Sequence, residues 1–305
     1  MAWLSLSFGW GAAQLLIGPI ALYFFSASPG ARANSRAFLR RALGREPRLI
    51  EQFRHFLVFS NVVLDRIFLL SGRDSGYRTE VIGLPALTGA LAETGGRGCL
   101  LLGSHLGSFE ALRAFGRTSP VPVRPLMYRA NAGTFGRLTE HLNPALARDI
   151  IEIGTPDAML RVQEALDRGE IIAILADRVP DGARRRGVAV DFLGAPATFP
   201  TTPLLLAARF GVPAVLCFGV RAAPRTYRIE FAPLALRVTL DKVPDYLRLY
   251  VRELEARCRV HPFNWFNFHD FWNTPPTRAA AGHAAASDTS APGLGAARRG
   301  GSTAE

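Results

Sequence analysis

CLLLGSHLGSFEALRAFG, Cys99–Gly116, passes from an unbroken apolar run through glycine and histidine into a segment with helical spacing. A short apolar run closed by glycine and followed by a helix is the strand–turn–helix unit of a parallel sheet covered on both faces. Similar units recur on either side of it. Candidate strands fall at 98–102, 121–127, 149–153, 170–175, 188–193, 213–218 and 227–231, with helical segments between them. TPDAMLRVQEALDRG is the clearest helix, with Thr155 as N-cap, Pro156 at the first position and Gly169 at the end. TFPTTPLLLAARFG, Thr198–Gly211, is expected to be another. The pattern predicts an α/β fold, a mostly parallel sheet flanked by helices.

Upstream of this domain the chain changes character. WLSLSFGWGAAQLLIGPIALYFF, Trp3–Phe25, carries no charge. As a helix at ~1.5 Å per residue it reaches roughly 35 Å, enough for a ~30 Å hydrocarbon layer. Arg32, Arg36, Arg40, Arg41, Arg45 and Arg48 follow, against Glu46 alone. Such a flank is retained on the cytoplasmic side and attracts anionic headgroups. After Pro47, apolar residues recur at helical spacing until the SGRDSG turn, Ser71–Gly76. The expected organisation is a membrane anchor over 1–28, basic and apolar helices over 29–76, an α/β domain over 77–272 and a disordered tail over 273–305.

The 305 residues carry a formal charge of +11, which suits an acidic partner, and Lys242 is the sole lysine. Nucleic acid is not expected, because the basic residues gather beside the apolar N-terminus and one loop rather than alternating with aromatics. Cys99, Cys217 and Cys258 are far apart, with no metal-binding spacing and no disulfide framework. Nucleotide-binding glycine motifs are missing as well. Neither a metal nor a cofactor is called for.

Chemistry concentrates where strands end. His105 lies just beyond its strand, and Glu110 follows five residues later. In a regular helix such residues point ~140° apart. Gly103 and Gly107 free the turn to bring the imidazole back over the carboxylate, forming a general-base pair. Arg129 follows the next strand, and Asp177 and Arg178 follow another, before a loop with Arg184, Arg185 and Arg186. Ligands bind at this edge of such sheets. The bland alternative is a histidine cap on a first-turn glutamate, with an ordinary ion pair at Asp177–Arg178.

With these residues in view, the chain resembles the lysophospholipid acyltransferase superfamily, most closely the branch of late lipid A acyltransferases. HLGSFE matches the His-x4-Glu form of the motif, YRAN the second block, and LADRVPDG with VDFLGAPATFPTTPLLLAARFGVP the third and fourth. The resemblance covers roughly residues 1 to 272. It implies His105 as general base with Glu110 as partner. It also implies Arg129, Asp177, Arg178, Gly107 and Ser108 around the substrate. The reaction would move a fatty acyl chain from acyl carrier protein, or from coenzyme A, to a hydroxyl of a lipid or glycolipid. The setting would be the cytoplasmic face of the bacterial inner membrane. The closing HPFNWFNFHDFW looks more like acyltransferases of aryl-polyene-type pathways, so the acceptor has two readings. Two other classes compete: a serine hydrolase using Ser104 or Ser108, and a non-catalytic basic membrane adaptor. GSHLG lacks the spacing of a nucleophile elbow.

Overall fold

The computed structural model describes residues 2–111, 121–128, 139–179 and 187–272. Three helices open the chain, α1 (Ala2–Ala27), α2 (Pro29–Leu43) and α3 (Leu49–Leu70). α1 is broken at Gly9, whose backbone leaves helical geometry. α2 has proline in its first turn and stops at Gly44 in the left-handed region. α3 starts where Glu51 reaches back to the Arg48 amide, 2.7 Å away. That return bond satisfies an N–H the helix itself leaves unpaired.

The domain that follows runs β1 (Arg78–Ile82), α4 (Leu84–Ala92), β2 (Leu100–Gly103), β3 (Val123–Tyr128), α5 (Pro144–Ala147), β4 (Ile151–Ile153), α6 (Ala158–Asp167), β5 (Ile171–Leu175), β6 (Gly187–Phe192), β7 (Ala195–Pro200), α7 (Thr202–Phe210), β8 (Ala214–Ala223), β9 (Thr226–Ala235) and α8 (Val243–Val260). Seven strands form one sheet in the order β1-β9-β8-β2-β5-β3-β4. Neighbours from β8 to β4 are all parallel; β9 turns back antiparallel to β8, and β1 runs parallel to β9. The sheet is therefore mostly parallel, as the sequence pattern predicts.

Both faces are covered, which explains the unbroken apolar runs. Leu100, Leu102, Ile172, Ile174 and Leu216 pack on one side, and Cys99, Leu101, Ile171, Ala173 and Val215 on the other. All three cysteines are free and buried.

Several local expectations are corrected. The run at 188–193 is not in the main sheet; it pairs with β7 as a separate antiparallel hairpin. The helix expected from Thr198 therefore begins only at Thr202, because Thr198–Pro200 is β-paired. α6 starts at Ala158, since Thr155 Oγ turns back to the Glu152 carbonyl (3.1 Å). β1 has no apolar alternation to reveal it, being an edge strand exposed along its whole length.

The N-terminal helices are fastened to this domain by buried polar bonds. Asp65 on α3 is fully buried and accepts from Trp10 (2.9 Å), Tyr77 (2.8 Å), Tyr227 (2.7 Å) and Arg221 (3.1 Å). Gln14 donates to Asn61 at 2.9 Å. A buried carboxylate persists only when its oxygens are satisfied in this way. Fixing all four donors locks α1, α3, β8 and β9 together.

His55, nearly two turns into α3, is a second such junction. Its Nε2 lies 3.0 Å from the Trp265 carbonyl and so must carry the proton, leaving Nδ1 to accept from Ser35 Oγ at 2.8 Å. Burial pushes its pKa down to about 4, against a weaker opposite pull from the Trp265 carbonyl. The unfolded chain takes up this proton near pH 6.5, the folded chain only near 4. Stability is therefore complete above about pH 6.5 and is lost as pH falls toward 4, by about 3 kcal/mol. Urea midpoints measured across this window should drop for the wild type. His55→Gln should remove that component of the slope.

Candidate active site

Two adjacent parallel strands set the centre of the site. The β2–β5 register pairs Gly103 with Leu175, so the chain leaves both strands level, and His105 and Asp177 each stand two residues further on. The Ala176 amide bonds to the Gly103 carbonyl at 3.0 Å, extending the pairing one step beyond β5. Asp177 then meets His105 twice: Oδ1 lies 2.8 Å from Nδ1, and Oδ2 accepts the His105 backbone N–H at 2.9 Å. Trp265 Nε1 donates to the same Oδ2 at 2.9 Å.

Asp177 is fully buried. Burial alone would raise its pKa, but the charge and hydrogen bonds of His105, with Arg178 beside it, hold it below the usual carboxylate range. An ionised carboxylate at Nδ1 fixes the proton there. The lone pair of Nε2 is left as the acceptor, on a side chain that is 31% exposed. This is the arrangement of a general base with an orienting carboxylate.

The expected contact between His105 and Glu110 is not made. Glu110 Oε1 pairs with Arg66 Nε of α3 at 2.9 Å, and Oε2 accepts from Ser108 Oγ at 3.0 Å. The turn keeps an extended, sheet-like course through Leu106, which pairs antiparallel with Trp265, so it does not fold the imidazole back over the helix start. The backbone donors of Gly107 and Ser108 are already committed within the fold. Gly107 N–H bonds to the Asn264 carbonyl (2.7 Å) and Ser108 N–H to the Gly219 carbonyl (2.8 Å). Ser108 Oγ also accepts from the Ala111 amide (3.2 Å), so it caps the helix rather than serving as a nucleophile.

Arg178 bonds to the Phe266 carbonyl at 2.5 Å, while its Nε is buried with no partner among the described residues. Arg129 and Arg184, Arg185 and Arg186 lie outside the described residues.

Sequence reasoning missed the closing segment as part of the site. Residues 264–266 run as a strap along the His105 turn. Besides the bonds from Gly107 and Trp265, Phe266 N–H donates to the His105 carbonyl at 3.0 Å. Trp265 is fully buried among Phe38, Phe192 and Phe271. Its indole N–H, in a run of aromatics, is the one signal that could have suggested a polar task.

His105 and its buried carboxylate thus stand at the carboxyl ends of a mostly parallel α/β sheet, the edge at which such sheets bind ligands. Residues 66–274, about two thirds of the chain, match the model of the bacterial lipid A biosynthesis acyltransferase family. The chain belongs to that family, and its class of activity is acyl transfer. None of the curated proteins compared with it matches. The match begins at the arginine that holds Glu110 and ends just past the strap.

Proposed function

We propose that the protein moves a fatty acyl chain from the thioester of acyl carrier protein to a hydroxyl of a lipid or glycolipid, at the cytoplasmic face of the bacterial inner membrane. The observation that carries this reading is the His105–Asp177 pair, with Nδ1 held by a buried carboxylate and Nε2 left to accept a proton. Nε2 takes the proton of the acceptor hydroxyl as its oxygen attacks the thioester carbon. The C–O bond forms, the C–S bond breaks, and the proton passes from the imidazolium to the departing thiolate. Asp177 holds the imidazole and stabilises its charged form; Glu110 acts through Arg66 and Ser108 by fixing the helix start. Arg178, with a buried N–H that has no partner among the described residues, and Arg129, next after β3, are the proposed donors toward the substrate. The formal charge of +11 favours the acidic carrier protein over coenzyme A as donor. A lipid A precursor is the first acceptor to examine, and an aryl-polyene-type lipid the second.

The test offers the purified protein a labelled acyl chain on carrier protein or on coenzyme A, with a total bacterial lipid extract. Label is expected in one lipid, faster from the carrier protein, and the mass of the product names the acceptor. Equal rates from the two donors would overturn the donor assignment. Label in free fatty acid only would mean a hydrolase.

A further inference from the structure

α1 is long and apolar enough to cross a membrane over Gly9–Ala27. Its two faces nevertheless differ. Ala13, Ile17, Ala21 and Phe25 are buried, on the same side as Trp10 and Gln14 with their bonds to Asp65 and Asn61. Leu15, Leu16, Leu22, Tyr23 and Phe24 are exposed, Leu15 to 79%. The contacts of residues 10 with 65, 14 with 61 and 25 with 53 show α1 lying antiparallel along α3 for most of its length.

α3 cannot follow α1 into a bilayer. It carries Glu51, Arg54, Asp65 and Arg66, and its other contacts tie it to the domain: Arg66 to Glu110, His55 to Trp265, and Phe56 and Phe59 to Phe268. A helix joined along one face to such a partner cannot present its whole circumference to lipid. Around it the surface is cationic. From Ser28 to Arg54 there are seven arginines against two glutamates, with Arg36, Arg40, Arg45 and Arg48 exposed. Leu49 and Ile50, both 67% exposed, continue the apolar face one turn before Phe53, which meets Phe25.

We propose that α1 lies in the plane of an anionic bilayer, with its Ala12–Tyr23 face down among the acyl chains, and does not cross it. The arginines of α2 and of the α2–α3 turn rest on the headgroups. Building on the acyl-transfer reading, this lays α3 and the strap over the lipid surface, where an acceptor can reach His105 without leaving the bilayer.

Ala12 and Tyr23 are both exposed and stand three turns apart on one face of α1, roughly 16 Å along its axis. Ala12→Cys and Tyr23→Cys variants of the full chain can each be labelled with a fluorophore, because the native thiols are buried. The labelled proteins are bound to vesicles of phosphatidylethanolamine and phosphatidylglycerol. Quenching by lipids spin-labelled at different chain positions then reads the depth of each site. Equal, shallow depths are expected, and Arg36→Gln with Arg40→Gln should weaken vesicle binding about fivefold per charge removed. Depths differing by the ~16 Å rise would mean that α1 spans the bilayer and would overturn the proposal. Failure of both probes to be quenched would overturn it too. No turnover is involved, so loss of the acyl-transfer reading would leave this result intact, and the reverse.

Discussion

Asp177→Asn should lower kcat by about 10²–10⁴ while leaving KM for the thioester nearly unchanged. The amide keeps the size of the carboxylate but removes the negative charge. Its NH₂ group can also face Nδ1, which would turn the imidazole to the tautomer with its proton on Nε2. The base would then meet the acceptor hydroxyl with a donor in place of a lone pair. Because the carboxylate is held below the usual range in the native protein, it stays ionised throughout the neutral region, and activity should not fall through its titration there. Glu110→Gln gives the informative contrast. Glu110 is bonded to Arg66 and Ser108, so its loss should appear mainly as about 1–3 kcal/mol of stability, read from urea midpoints. If Glu110→Gln matched Asp177→Asn in kcat and kept its midpoint, Glu110 would be the partner of His105 in solution.

Gly107→Ala is expected to be the most damaging substitution for folding. Gly107 has φ +75°, which costs an L-residue ~1–2 kcal/mol. A methyl group there would also lie 1.9 Å from the Gly219 carbonyl oxygen, and Gly219 is itself closed off by the Ser108 carbonyl. Neither obstacle is a side chain that can rotate away. The turn must separate from β8, breaking the Ser108–Gly219 bond and loosening the Asn264 contact. A loss of about 4 kcal/mol follows, at the high end for single substitutions. A thermal melt within a degree or two of the wild type would show that the turn is not packed this way.

How much of this was legible beforehand depends on which forces write themselves into sequence. Burial on both faces of the sheet leaves continuous apolar runs, so β2, β5 and β8 stand out. β1 is hidden because an exposed edge strand needs no apolar pattern. His105 and Asp177 were both identifiable as polar residues at strand ends. Their pairing was not, because strand order places β5 next to β2 although 67 residues lie between Gly103 and Ile171, and spacing along the chain favours the nearer Glu110. The strap was illegible for the same reason: HPFNWFNFHDFW shows its aromatics, but only tertiary contact puts Trp265 Nε1 on Asp177.

The most direct test of the central claim is a single-turnover assay of labelled acyl carrier protein thioester with the identified acceptor, run on wild type and His105→Ala side by side. A labelled lipid from the wild type, with a rate lower by at least about 10² in the variant at an unchanged melting temperature, is the predicted result. An undiminished rate in His105→Ala would contradict the account, since no other described group at the strand ends is set to take the hydroxyl proton.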